Sequence, residues 1–120
     1  MAMTDTRKVV QAYFDAWTHN RVAEAHAQLA ADLEFTGPSA KIHGADAFLP
    51  ALTRFAAMTK SARVIELIVE GDRAALLYDC ELPDPVGMLR IASFFRVEDG
   101  KIRTYETWFD ATEFRKLGVK

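Results

Sequence analysis

The chain has 120 residues, half of them apolar and 27% charged, with a formal net charge of −2. That length suits one domain, 1–120, able to bury about two thirds of its unfolded surface. Interleaved acids and bases with no basic stripe argue against a nucleic-acid partner, and no apolar run nears the roughly 20 residues that a membrane span needs.

The first residues lack the apolar core of a secretory signal. Cys80 is the one cysteine, which excludes an internal disulfide and a cysteine-based zinc site. A cytoplasmic protein is expected. Residues 5–19 are predicted to form a helix, with Val9, Val10, Tyr13, Phe14 and Trp17 on one stripe at the 3.6 period. Thr4 or Asp5 is its expected N-cap, and His19-Asn20 its end. A second helix is expected over about 21–31, with Val22, Ala25, His26, Leu29 and Leu33 along one face. Residues 33–36 read as a short strand stopped by Gly37-Pro38, and 41–43 as a return along it. A third helix from about Asp46 carries Phe48, Leu49, Leu52, Phe55 and Met58. Pro50 implies a late start or a kink, because proline is comfortable only in a first turn.

The rest of the chain alternates as strands do. In 62–70, Ile65, Leu67 and Val69 share one face and Val64, Glu66, Ile68 and Glu70 the other. In 73–82, Leu76, Tyr78, Cys80 and Leu82 face Leu77, Asp79 and Glu81 across the pleat. In 88–97, Leu89, Ile91, Ser93, Phe95 and Val97 oppose Met88, Arg90, Ala92, Phe94 and Arg96. Asp99-Gly100 then marks a tight hairpin, since glycine supplies the positive φ that such turns require. The last arm, 102–109, is ambiguous: Arg103, Tyr105, Thr107 and Phe109 compete with Ile102, Thr104, Glu106 and Trp108, and a β-bulge would turn members of both sets inward. The expected architecture is α+β, three helices followed by a four-stranded antiparallel meander. Asp79 and Glu81 are placed to answer Arg90 and Arg96 on neighbouring strands. The outer face would still carry Val64, Ile68, Leu77, Ala92 and Phe94, a patch large enough to imply a homodimer through that face.

These landmarks resemble the SnoaL-like branch of the nuclear transport factor 2-like superfamily. The resemblance is carried by Val9-Val10-Gln11-Ala12-Tyr13 with Trp17, Ala31-Asp32-Leu33-Glu34-Phe35, Gly37-Pro38, His43-Gly44, and Phe94-Phe95-Arg96-Val97 through Asp99-Gly100-Lys101-Ile102. It implies a cone-shaped curved antiparallel sheet covered by three N-terminal helices, with a short C-terminal helix, enclosing an apolar pocket that Tyr13 lines. It also implies a small apolar molecule as ligand, no cofactor, and a dimer packed through the sheet. Relatives include ketosteroid isomerases, polyketide cyclases, epoxide hydrolases and proteins without catalysis, so fold alone does not select the chemistry.

By that resemblance Tyr13 falls where the isomerases keep the phenol that donates to the enolate oxygen. Their aspartate base would fall at about Gly37 and their protonated aspartate at about Ser93, so one of three groups is kept and isomerase activity is not expected. The cyclases' late aspartate could correspond to Asp110. Read as residues alone, Tyr13 is either a core tyrosine with one partner or a phenol donor to a ligand oxygen. Asp110 begins a D-x-x-E capping pattern before a helix at 111–117, which favours a cap over a general base. Trp17, Phe55, Tyr78, Ser93, Tyr105 and Phe109 are the candidate ligand contacts. His26 reads as a core histidine, His43 as a turn residue, His19 as a surface residue and Cys80 as a core thiol. No metal spacing is present. Two functions stay open: a cofactor-free isomerase, cyclase or hydrolase, and a non-catalytic binding or assembly module.

Overall fold

The strands whose faces the alternation names most clearly form the centre of the sheet. In the computed structural model, which describes residues 2–112 with side chains from Thr6 onward, β4 (Arg73–Glu81) and β5 (Met88–Glu98) run antiparallel between β3 (Ser61–Glu70) and β6 (Lys101–Trp108). Leu76, Tyr78 and Cys80 on β4, and Leu89, Ile91, Ser93, Phe95 and Val97 on β5, are all buried, as their alternation predicts. Asp99 and Gly100 both take positive φ at the β5–β6 turn.

The sheet is larger than a four-stranded meander. β1 (Leu29–Thr36) pairs in parallel with β6 and carries β2 (Lys41–His43) at its outer edge, giving six strands in the order β2-β1-β6-β5-β4-β3. The sheet is therefore mixed rather than antiparallel, and it is curved and unclosed.

The expected helix over 21–31 shrinks to α2 (Val22–His26). A spacing of four fits a helix face, but being even it also fits one face of a strand. The Ile102 N–H donates to the Gln28 carbonyl at 2.8 Å and Leu29 pairs with Ile102, so this stretch joins the sheet, burying Leu29 and Leu33. Tertiary pairing overrides the helical propensity of its alanines.

α1 (Ala2–Thr18) begins earlier than expected, so Thr4 and Asp5 lie within the helix rather than capping it. Asn20, at φ 60°, closes its other end. Thr6, Val10, Tyr13 and Trp17 are buried, the face α1 lays against the sheet. α3 (Ala45–Met58) starts where the Gly44 N–H donates to the Leu33 carbonyl at 2.7 Å. It continues through Pro50, which faces solvent.

Three register shifts interrupt the pairing, one between Leu29 and Glu34 on β1 against β6 and two, on β3 and β6, that decide which side chains face inward. Val64 pairs with Tyr78 and Glu66 with Leu77, leaving Ile65 as the extra residue, 37% exposed. Ile65 thus leaves the inner set, and Val64 stands opposite an inward residue instead of belonging to the outer patch. On β6, Ile102 pairs with Val97 and Thr104 with Arg96, so Arg103 is the extra residue and Ile102 and Tyr105 both turn inward. The bulge resolves the ambiguity of that arm by drawing from both sets.

On the outer face Asp79 accepts two hydrogen bonds from Arg90, at 2.8 and 2.9 Å, with Arg63 at 3.6 Å. Glu81 accepts from Ser61 instead of meeting Arg96, which lies opposite Arg73 at the far end of β4. Most of the helix expected at 111–117 lies outside the described residues. Among the described residues no helix is long and apolar enough to cross a membrane.

Candidate functional site

Between α3 and the inner face of the sheet lies a cavity of about 130 Å³. α3 contributes Phe48, Leu52 and Phe55 at i, i+4 and i+7, with Ala51, Arg54 and Met58 beside them. Trp17 of α1, Phe35 and Ile42 of the β1–β2 hairpin, Tyr78, Ile91, Tyr105 and Thr107 of the central strands, and Phe109 complete most of the wall. The 37–40 loop forms one end of it. The aromatic side chains brace one another: Trp17 against Phe55 at 5.5 Å, Trp17 against Tyr78 at 5.9 Å, Phe35 against Phe48 at 4.5 Å, and Phe48 against Tyr105 at 5.6 Å.

Apart from Arg54, the polar side chains at the cavity are hydroxyls. Ser93 Oγ and Thr107 Oγ1 are 2.8 Å apart. Burial raises the Tyr78 phenol well above its ordinary range, and the Ser93 and Thr107 hydroxyls beside it partly offset that. Burial pushes Tyr105 up to about 12, against the opposing pull of the Tyr13 and Ser93 hydroxyls. Such groups stay protonated at neutral pH. They can donate to a carbonyl or hydroxyl oxygen, but they do not take up a proton.

Of the six candidate contact residues, Trp17, Phe55, Tyr78, Tyr105 and Phe109 line this cavity, and Ser93 touches it through Thr107. Tyr13 does not line it. Its ring packs edge-on against Phe95 at 6.1 Å and Tyr105 at 5.4 Å, so the Tyr105 ring is the one that reaches the hollow. The Tyr13 hydroxyl is fully buried and makes no well-formed hydrogen bond among the described residues, although the Tyr105 hydroxyl is near enough to act on it; burial above all holds its pKa well above the ordinary tyrosine value. An unmet buried hydroxyl costs roughly 1–3 kcal/mol. Tyr13→Phe is therefore expected to raise unfolding stability by about 1 kcal/mol, read from the urea midpoint at unchanged slope; a loss of that size would mean that the hydroxyl has a partner.

The position that the isomerase resemblance assigns to the base is Gly37. A Cβ built there would sit 3.1 Å from the edge of the Phe35 ring and 3.6 Å from Thr107 Cγ2, so a side chain at this position would press on Phe35, and glycine offers no carboxylate. Asp110 is exposed and outside the cavity wall. Its Oδ1 accepts the Thr112 N–H at 3.0 Å, the bond a capping residue makes.

Each of the three histidines meets a carboxylate. His26 Nε2 meets Asp46 Oδ1 at 3.0 Å, joining α2 to α3, and is partly exposed rather than a core residue. His43 pairs with Glu34 across β1–β2, and His19 lies on the surface beside Asp15. Cys80 is buried, its thiol pKa raised by that burial, with the Thr59 hydroxyl 3.4 Å away. Among the described residues no three of His, Cys, Asp or Glu converge as a metal site.

Sequence reasoning named Phe48, Leu52 and Met58 only as a helix stripe and did not single out Phe35, Ile42, Arg54 or Thr107. The α3 stripe was the available signal. Arg54 lies off that stripe, and nothing local marks it.

No curated protein matches the chain significantly. Among solved structures it is similar to a protein from Kribbella flavida, 29% identical over 91% of this chain and 89% of that one, with a TM-score of 0.86. It is also similar to a candidate ketosteroid isomerase from the same organism, 25% identical over 92% and 81%, TM-score 0.78. An LEH-like epoxide hydrolase of M. tuberculosis shares the fold, 18% identical over 97% and 90%, TM-score 0.78. The SnoaL-like domain model matches residues 10–105, from the α1 stripe to Tyr105 and so across nearly every element that walls the cavity, and the chain belongs to that family.

Proposed function

We propose that the protein binds a small, mainly apolar molecule of about one ring, with one oxygen of that molecule accepting from the Tyr78, Tyr105 and Thr107 hydroxyls. The observation that carries this reading is an aromatic-walled cavity of about 130 Å³ whose polar groups, apart from Arg54, are neutral hydroxyls. Size decides the class of molecule. A dry apolar cavity of roughly 150 Å³ accepts benzene, whereas drug-sized ligands take about 300–1,000 Å³. A volume of this order suits one ring better than the four of a steroid.

The cofactor-free isomerase, cyclase or hydrolase reading is supported by the phenols, which would polarise a carbonyl as electrophilic donors, and by the similarity to a candidate ketosteroid isomerase and an epoxide hydrolase. It needs a base, and no carboxylate or imidazole lies among the described lining residues. Binding without acid–base turnover is accordingly the leading reading. A homodimer through the outer sheet face is part of the same proposal, supported by Ile68, Phe94 and Trp108, which are 57%, 48% and 43% exposed on or beside that face.

Trp17 provides the test, because it lines the cavity while Trp108 is exposed. In a Trp108→Phe variant, cyclohexanone and methylcyclohexanone should shift the remaining emission saturably with Kd no weaker than about 1 mM, or roughly −4 kcal/mol. A four-ring steroid ketone should give no saturable shift. The proposal fails if neither ring-sized ketone saturates, or if the steroid binds as well as they do.

A further inference from the structure

The one charged side chain among the described cavity-lining residues is Arg54, and the geometry points to a monocarboxylate as the ligand class: an apolar body of about one ring in the hollow, with its carboxylate on the Arg54 guanidinium. This rests on reading the cavity as a ligand site and adds a second polar anchor, distinct from the oxygen at the Tyr78, Tyr105 and Thr107 hydroxyls.

Three observations converge. Arg54 lies at the flank of the α3 stripe, beside Ala51 and Met58 in the wall, and is itself exposed, so a charged residue borders both an apolar cavity and water. It has no carboxylate partner among the described residues, a state it shares with Arg7, Arg73 and Arg96, but of these four it alone lines the cavity; Arg21, Arg63, Arg90 and Arg103 pair with Asp15 and Glu24, Asp79, Asp79 and Asp32. The acids on the elements that build this part of the cavity are engaged elsewhere: Glu34 of β1 with His43, and Asp46 of α3 with His26. A guanidinium presents its donors as a planar fork that matches one carboxylate with two parallel hydrogen bonds. One cation also matches one negative charge, and a second charge on the ligand would have no counterpart among the described lining residues.

A hydrogen bond to a charged group contributes about 1.5–3 kcal/mol, which is roughly tenfold to a hundredfold in affinity. The test uses 3-phenylpropionate and its neutral isostere 3-phenylpropionamide, measured calorimetrically at pH 7 and low salt against the full chain, Arg54→Gln and Arg54→Lys. The acid is expected to bind at least tenfold tighter than the amide. Arg54→Gln should remove that difference by lowering acid affinity far more than amide affinity, and Arg54→Lys should restore part of it. Arg54 is exposed, so the unfolding midpoint of both variants should match that of the unaltered chain; if the glutamine variant fails to fold, the lysine variant and the acid-to-amide ratio still decide. Equal binding of acid and amide, or an acid preference that survives Arg54→Gln, overturns the carboxylate assignment and leaves the cavity reading standing. Binding of neither compound overturns both.

Discussion

Tyr105→Ala is expected to cost about 3–5 kcal/mol of folding stability, the range for deleting a large buried aromatic side chain. The Tyr105 ring stacks on Phe95 at 4.8 Å and meets Tyr13, Phe35 and Phe48 edge-on at 5.4, 5.1 and 5.6 Å. It therefore links β6 to β5, α1, β1 and α3 through one side chain, and no neighbour can collapse into the gap without breaking other contacts. Domains of this kind are stable by only about 5–15 kcal/mol, so the substitution would consume a large share of the margin. Tyr105→Phe keeps the ring and removes only the hydroxyl; it should stay within about 1 kcal/mol of the parent while weakening binding of an oxygen-bearing ring. Urea unfolding of the two variants separates the contributions. If alanine proves as mild as phenylalanine, the ring cluster is not what holds the helices to the sheet.

The other large effect is expected on the outer face. Ile68, Ala75 and Phe94 lie opposite one another across β3, β4 and β5, forming one row of apolar side chains. Ile68 is 57% and Phe94 48% exposed, beyond what a solvated sheet face needs. In a twofold dimer built on this row every substitution appears twice. Burying a side chain of this size contributes about 1.5–3 kcal/mol, so Phe94→Glu should remove about 3–6 kcal/mol of association energy, more than a hundredfold in Kd. Sedimentation velocity at micromolar concentration should show the parent as a dimer and Phe94→Glu as a monomer, with the unfolding slope of each chain otherwise normal. A monomeric parent would remove the dimer from the proposal.

The strands were legible where one face is apolar and the other polar without interruption, as in β4 and β5. Local alternation is enough there, because each residue's environment follows from its parity. It fails at Ile65 and Arg103, since an extra residue inverts the parity beyond it and the cause lies in the partner strand. The stretch 27–31 failed differently: Leu29 and Leu33 fit either period, and only the parallel partner β6, some seventy residues away, decides between them. At the site, the resemblance drew attention to Tyr13, whose helical stripe is wide enough that being on it does not specify which rings it meets. The lining from Phe35, Ile42 and Thr107 depends on how the β1–β2 hairpin folds against β6, which no short window of sequence encodes. Arg54 was invisible for a related reason. A cation one step off an amphipathic stripe looks like any solvated residue until the wall beside it is known.

The central claim is that the sheet and α3 enclose a ring-sized hollow bounded by Trp17, Phe55, Tyr78 and Tyr105. The most direct measurement is a crystal structure of the protein pressurised with xenon, followed by one soaked with cyclohexanone. The account predicts xenon density within that hollow, and a ketone there with its oxygen toward the Tyr78, Tyr105 and Thr107 hydroxyls. Side chains closing the space, with xenon and ketone both found elsewhere, would contradict it.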